Sequence, residues 1–454
     1  MALPSAFDTQ IDTIFSLSSA PGRAGIAVFR VSGPKTGKIM SSLIDRSLPK
    51  PRFALFATFL GPKKSHIDEG LLLWMPGPAS FTGEDCAECH VHGSPAVIEK
   101  MASTFLSHGA RQSEAGEFTR RAFANGKMDL TEAEGLADLI DADTEGQRRQ
   151  ALRQMQGGLK NRYENWREAL LDGLAQIEGE IDFPDEADIP DDLAHKADAP
   201  LKDLCNDMQK ALLNADRGER VRSGLDIALI GAPNAGKSSL INILVDKEAA
   251  IVTHIPGTTR DVLEVNLVMA GLPIRLFDTA GLRQSDDEIE AEGVRRALAR
   301  AQESDIRILV HDANDTVLND DAKALLVDGD IFLINKTDIN VSRETLALPI
   351  ENIHRYNVSA KTGSGMDTLR QALEDIVTDR FSPSQDAGLT RARHRNCVER
   401  ASQSVQRARD VLNRAPELAG DDLRAALHAL KELAGETDIE AVFDRIFSRF
   451  CVGK

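Results

Sequence analysis

The sequence predicts a multidomain chain: an α/β N-terminal domain, a discontinuous helical domain, and a further α/β domain inserted into it. Three observations lead there. At 454 residues the chain exceeds the roughly 250–300 residues that one hydrophobic core sustains. A helical seam runs through its second quarter, and helical texture returns near its end. Between those stretches, strands alternate with helices in the rhythm of a parallel sheet. Ends of compact domains often lie close together, which permits such an insertion. The expected divisions are 1–125, 126–221, 222–379 and 380–454.

Within the first division, residues 25–31 and 70–75 read as buried strands bounded by Gly and Pro. From Leu130 long helices take over. Met155, Leu159, Tyr163, Trp166, Leu170, Leu174, Ile177 and Ile181 follow one another at steps of four or three residues, the spacing of a helix seam in a bundle core. The acidic, Pro-containing stretch 182–190 breaks that helix, and more helix follows to about Val221. Residues 224–378 carry the alternation. After Pro383 the chain is helical again, and Thr437-Asp438-Ile439-Glu440 is a capping box opening a last amphipathic helix with Val442, Phe443, Ile446, Phe447 and Phe450.

Composition narrows the class. With 42% hydrophobic and 28% charged residues, disordered, collagen-like and disulfide-scaffold classes drop out. The net charge of −17 argues against a sheath of non-specific nucleic-acid contacts, so an RNA partner would need a local basic patch or a second protein. Five scattered cysteines, Cys86, Cys89, Cys205, Cys397 and Cys451, fit a reducing compartment. No signal-peptide pattern and no run of about 18 apolar residues is present. A cytoplasmic location is expected.

The chemistry concentrates in the inserted domain. Strand 226–230 runs into Gly231-Ala232-Pro233-Asn234-Ala235-Gly236-Lys237-Ser238 and an apolar helix, which is G-x-x-x-x-G-K-[ST] in its required strand–loop–helix context. Backbone N–H groups and the helix N-terminus suit phosphates, Lys237 the β- and γ-phosphates, and the Ser238 hydroxyl Mg²⁺. Gly257-Thr258-Thr259 offers a hydroxyl to Mg²⁺ and the γ-phosphate, and Asp278-Thr279-Ala280-Gly281 ends a strand with a carboxylate for the outer Mg²⁺ shell. Asn335-Lys336-Thr337-Asp338 ends another strand, where a carboxylate can accept both guanine N1–H and N2–H, a donor pair that adenine lacks. Ser359-Ala360-Lys361 closes the base pocket. All five in series select GTP over ATP.

Leu282 follows Gly281, where Ras-type enzymes place the glutamine that orients water. Two readings stay open at this point. Hydrolysis is slow, as in a passive switch, or another residue and another positive charge supply catalysis. Asp286-Asp287-Glu288-Ile289-Glu290 offers carboxylates, and Asn234 offers an oxygen to a monovalent cation.

Flanking the GTPase set stand Pro21-Gly22-Arg23, Phe29-Arg30-Val31-Ser32-Gly33, Phe81-Thr82-Gly83-Glu84-Asp85, Gly116-Glu117-Phe118-Thr119-Arg120-Arg121-Ala122-Phe123, Asn125-Gly126-Lys127-Met128-Asp129-Leu130 and the ending Cys451-Val452-Gly453-Lys454. On these motifs the chain, end to end, resembles the MnmE (TrmE) family of tRNA modification GTPases, of the TrmE-Era-EngA type. The resemblance implies a homodimer with a folate-binding N-terminal domain, a discontinuous helical domain and a Ras-like P-loop G domain. It implies a heterotetramer with the flavoprotein MnmG (GidA). Together the two would add an aminomethyl or carboxymethylaminomethyl group at C5 of the wobble uridine of certain tRNAs. The one-carbon donor would be 5,10-methylene- or 5-formyl-tetrahydrofolate, held by Arg30, Glu84, Lys127 and Lys454. GTP contacts carry over to Asn234, Ala235, Gly236, Lys237, Ser238, Ser239, Thr253, His254, Ile255, Pro256, Gly257, Thr258, Thr259, Asp278, Thr279, Ala280, Gly281, Asn335, Lys336, Asp338, Ser359, Ala360 and Lys361. The implied K⁺ ligands are Asn234, Thr253, Ile255 (main chain) and Thr258. Mg²⁺ falls to Ser238 and Thr259, and the catalytic carboxylate to Glu290, acting through water. Pro256 stands where Ala is common in the family, a departure that stiffens the cation loop.

Other signals are discounted. Cys86-Ala87-Glu88-Cys89-His90 matches a haem-attachment pattern, and His92 adds a zinc-like look, but the spacing is tight for zinc and haem attachment requires export. Cys451 reads as a packed thiol, and the basic run 391–395 as a solvated helix face. The alternative function, a ribosome-assembly GTPase switch binding rRNA, calls for an RNA-binding module such as a KH domain with its GXXG loop, and none is apparent.

Overall fold

The computed structural model describes residues 12–182, 193–247, 264–279, 298–339 except 316 and 319, 352–381, 388–436, 446, 447, 450 and 453. The chain divides into two compact units, Met1–Ala137 with Lys431–Lys454, and Asp138–Leu430.

The first unit is built on a six-stranded sheet of β1 (Thr13–Leu17), β2 (Ala24–Ser32), β3 (Leu55–Leu60), β4 (His66–Met75), β5 (Cys86–Gly93) and β6 (Ala110–Gln112), in the order β3-β4-β5-β2-β1-β6. Its pairs are antiparallel except β1 with β6. Helices α1 (Thr36–Ile44) and α2 (Pro95–Ser107) cover one face, where Phe29, Val31, Phe59, Leu72, Trp74, Ile39 and Phe105 form the core. Ser94 caps α2 by accepting from Val97 N–H at 3.3 Å, and Pro95 sits in the first turn, where its missing N–H costs nothing. The expectation of buried strands is corrected here. β2 and β4 alternate, with Ala27, Phe29, Leu72 and Trp74 inside and Ile26 and Leu71 exposed, because an antiparallel sheet needs only one covered face.

Helices α3 (Glu117–Ala124) and α4 (Leu130–Ile140) follow. Phe123, Ala133 and Leu136 pack with Phe447 and Phe450 from the far end of the chain. Gly116 sits at φ +67, and a Cβ there would lie 2.4 Å from the Phe447 carbonyl, so only glycine admits that approach. Residues 437–440, the expected capping box, lie outside the described residues, as does most of the helix they would open.

In the second unit, helices α5 (Glu145–Met155), α6 (Gly158–Asp182), α7 (Leu193–Leu213) and α8 (Ala215–Ser223) precede another sheet, and α12 (Ala392–Val411) and α13 (Pro416–Ala434) follow it. The helical part is thus discontinuous in sequence. The expected seam is corrected at both ends. It breaks between α5 and α6, where Gly157 turns the chain at φ +82, and Ile181 is 38% exposed. Leu159, Tyr163, Trp166, Leu170 and Ile177 are buried between those points. The run 391–395 is more engaged than a solvated face. His394 is buried, Arg391 pairs with Asp138 at 2.6 Å, and Arg395 pairs with Asp216 and Glu219.

The second sheet contains β7 (Leu225–Ile230), β8 (Glu264–Met269), β9 (Leu272–Asp278), β10 (Ile306–Asp312), β11 (Ile331–Asn335) and β12 (His354–Asn357), ordered β12-β11-β10-β7-β9-β8. All pairs are parallel except β8 with β9. Ile227 and Leu229 face helices α9 (Lys237–Lys247) and α11 (Met366–Phe381), while Ala228 and Ile230 face the other side, with Ala301 and the short helix α10 (Asp320–Ala324). Strands buried on both faces explain their unbroken apolar runs. β7 lies between β9 and β10, so the order reverses there. That switch point is where doubly wound sheets bind ligands, beyond the strands' carboxyl ends.

Candidate nucleotide site

Four strand ends of the second sheet deliver the described nucleotide-site residues to one edge. β7 runs into the phosphate loop and α9, β9 ends at Asp278, β11 ends at Asn335, and β12 leads to Ser359. The loop's backbone needs its glycines. Gly231 (φ +143) passes so close to β10 that a Cβ would lie 2.2 Å from the Val310 carbonyl, and Gly236 (φ +95) would meet the Asn335 amide at 2.2 Å. Asn234 also adopts a left-handed conformation (φ +63) and is exposed.

Lys237 Nζ donates to the carbonyls of Gly231 and Ala232 at 3.0 and 3.1 Å, folding the side chain back under the loop. Ser238 Oγ donates to Asp278 Oδ2 at 3.0 Å, and Ser239 is exposed in the first turn of α9. Thr279 is buried, with N–H and hydroxyl both donating to the Leu229 carbonyl. The Lys237 ammonium and Asp278 carboxylate are 3.9 Å apart, too far to offset their desolvation. Burial therefore pushes Asp278 up and Lys237 down, each opposed by the other's charge. Asp278 Oδ1 is buried and accepts no hydrogen bond among the described residues. An unsatisfied carboxylate oxygen beside a serine hydroxyl is a fitting donor set for Mg²⁺ and its waters.

The loop after β11, expected to recognise the base, is wired to the loop of residues 231–236. Asn335 Nδ2 donates to the Ala235 carbonyl at 2.8 Å, while its Oδ1 accepts from Ala360 N–H at 3.0 Å. Ser359 Oγ donates to Asp338 Oδ1 at 2.6 Å, which holds that exposed carboxyl below the usual range. Lys361, two residues after Ser359, is exposed, and Lys336 pairs with Asp312 at 2.5 Å. The expected contacts Thr253, His254, Ile255, Pro256, Gly257, Thr258, Thr259, Ala280 and Gly281, with Glu290, lie outside the described residues.

A second cluster lies in the first unit. Arg30 pairs with Glu88 at 2.9 Å and lies over the rings of Phe81 and Phe118. Glu84 Oε2 accepts from Ser32 Oγ at 2.6 Å, and Lys127 Nζ donates to the Pro78 carbonyl at 2.9 Å. Lys454 is outside the described residues, but Gly453 is anchored by Ser18 Oγ at 3.1 Å. Sequence reasoning missed Arg121, which is 1% exposed and pairs with Glu84, Glu117 and Asp12. Its signal was the quoted motif around it, which gave no hint of partners far along the chain. Cys86 and Cys89 lie on opposite faces of β5, one against Ser32 and the other against Met40.

A doubly wound sheet with a G-x-x-x-x-G-K-[ST] loop at the switch point, joined by Asn335 to an Asn-Lys-Thr-Asp loop, defines the P-loop GTPase class. The family model for the MnmE helical domain matches residues 130–451, and that for the GTP-binding protein TrmE N-terminus matches residues 13–127. The tRNA modification GTPase MnmE of Maricaulis maris is 52% identical over 442 residues, covering 97% of this chain and 99% of that protein. That of Caulobacter vibrioides is 45% identical, covering 98% and 100%. The chain belongs to the MnmE family of tRNA modification GTPases. Among the described residues no helix is long and apolar enough to cross a membrane.

Proposed function

We propose that this GTPase drives modification of the tRNA wobble uridine through a Mg²⁺- and K⁺-dependent hydrolysis cycle. The observation that carries the reading is Asn335 joined to both Ala235 and Ala360, which makes base recognition and phosphate binding one unit. Mg²⁺ falls to Ser238 and Thr259. Asn234, Thr253, Ile255 and Thr258 hold K⁺, whose positive charge substitutes for an arginine finger. With Leu282 where a water-orienting glutamine would stand, Glu290 acts through water as the catalytic carboxylate.

In the same reading the chain is a homodimer partnered with MnmG. A tetrahydrofolate one-carbon donor sits at Arg30, Glu84, Lys127 and Lys454. The cations of that set suit folate carboxylates, and the Glu84 carboxylate suits pterin N–H donors. The domains run 1–125, 126–221, 222–379 and 380–454, and the protein works in the cytoplasm.

Steady-state GTP hydrolysis in K⁺ against Na⁺ tests the reading. K⁺ is expected to stimulate turnover strongly, and Glu290→Ala to slow hydrolysis while nucleotide affinity holds. Indifference to the cation removes the Asn234 and Thr258 assignment. Unchanged wobble nucleosides in tRNA from cells lacking the protein would remove the tRNA role.

A further inference from the structure

We propose that Asp312 is a positioning residue that pre-sets the Lys336 side chain across the face of the bound purine, an inference that rests on the guanine-nucleotide reading above. Asp312 ends β10 directly opposite Asn335 in the parallel ladder. Its neighbour Ala313 donates its N–H to the Asn335 carbonyl at 2.9 Å, so the two strand ends leave the sheet in step. Lys336, next along, turns at φ +65, a strained conformation for a residue with a Cβ. The side chain is then fixed at its far end, where Asp312 Oδ2 accepts from Nζ at 2.5 Å.

The carboxylate is itself held. Its Oδ1 accepts from Asn314 N–H at 3.0 Å and Asn314 Nδ2 at 2.8 Å, a turn that fixes its direction. Burial raises the cost of its charge, yet the hydrogen bonds from Lys336 and Asn314 outweigh that and keep the carboxyl below its ordinary range. Lys336 is left 34% exposed and Asp312 14%, so the stem stays open to a ligand while the anchor is shielded from screening. Asn335 faces the phosphate loop and Asp338 serves the ring edge, and the part-exposed Lys336 methylenes lie between them in the chain as an apolar surface. Lysine stems cover flat apolar groups in this way. A side chain ordered before binding loses less entropy on binding.

The test uses the full chain and titrates GDP and IDP by calorimetry. IDP keeps the ring face and lacks the 2-amino group. Asp312→Ala is expected to weaken both nucleotides in equal proportion, by roughly three- to tenfold, leaving the GDP-to-IDP ratio unchanged. Asp312→Asn, which keeps one acceptor oxygen and the same volume, should fall between and carries the test if the alanine variant does not fold. In a Lys336→Ala background the Asp312 change should add nothing. Unchanged affinities, an altered ratio, or full additivity with Lys336→Ala overturns the proposal. Failure of the unsubstituted chain to bind GDP would instead overturn the nucleotide reading itself.

Discussion

The Asn335 side-chain amide donates to the Ala235 carbonyl across 100 residues of chain, at 2.8 Å and with both groups buried. Asn335→Ala strands that carbonyl and the Ala360 N–H together. An unsatisfied buried group costs about 1–3 kcal/mol. GDP affinity should therefore fall by about tenfold or more, by calorimetric titration, and an unchanged Kd would show that the two loops bind independently.

Asp338 should set base identity through charge and geometry alone. Ser359 fixes one carboxylate oxygen at 2.6 Å and keeps the group ionised through the neutral range, ready for two N–H donors of guanine. Asp338→Asn turns one acceptor into a donor, which opposes guanine N2–H and matches the 2-carbonyl of xanthine. The GTP-to-XTP preference should shift by on the order of 10⁴, in competition binding with the two triphosphates. A variant that keeps its guanine preference would place selectivity elsewhere.

Two glycines separate close packing from backbone conformation. A Cβ on Gly231 would lie 2.2 Å from the Val310 carbonyl at φ +143, whereas Gly271, at φ +77 in the β8–β9 turn, has nothing within 4 Å. Gly271→Ala should cost only the left-handed penalty, about 1–2 kcal/mol. Gly231→Ala must also force β7 from β10, and should cost about 3 kcal/mol or more with loss of nucleotide binding. Denaturant unfolding of both variants measures the difference; equal costs would mean the loop relaxes freely.

What was legible in the sequence follows from how local each constraint is. The phosphate loop could be read because Gly231, Gly236 and Lys237 meet backbone requirements within one strand–loop–helix unit. The joining of Asn335 to Ala235 could not, since the partner lies 100 residues away. Asp312 and Arg121 were missed for the same reason, their partners lying as far as 24 and 109 residues off. The seam from Met155 was overextended because periodicity says nothing about where packing partners end. Gly157 was a stop signal inside it that the apolar count passed over.

The buried charges of the first unit should make its stability depend on acid pH. Glu117 is nearly buried and receives Arg111 Nη2, Arg121 Nη2 and the Glu114 N–H. Burial works to raise its pKa, yet hydrogen bonds from Arg111, the Glu114 N–H and Arg121 outweigh it, so the folded carboxyl titrates below its ordinary value. A lowered folded pKa contributes stability that is fully present above the unfolded value of about 4.3 and is lost as pH falls through the folded one. Asp278 and Asp305 in the second unit are pushed up by burial and act in the opposite sense. The informative quantity is therefore the difference between the unsubstituted chain and Glu117→Gln, followed by hydrogen exchange in β1 and α3. At pH 7 that difference should be about 3 kcal/mol, the scale for breaking a buried pair, and it should shrink steadily below about pH 4. A difference that stays constant with pH would mean that Glu117 contributes through shape and hydrogen bonding, with its charge immaterial.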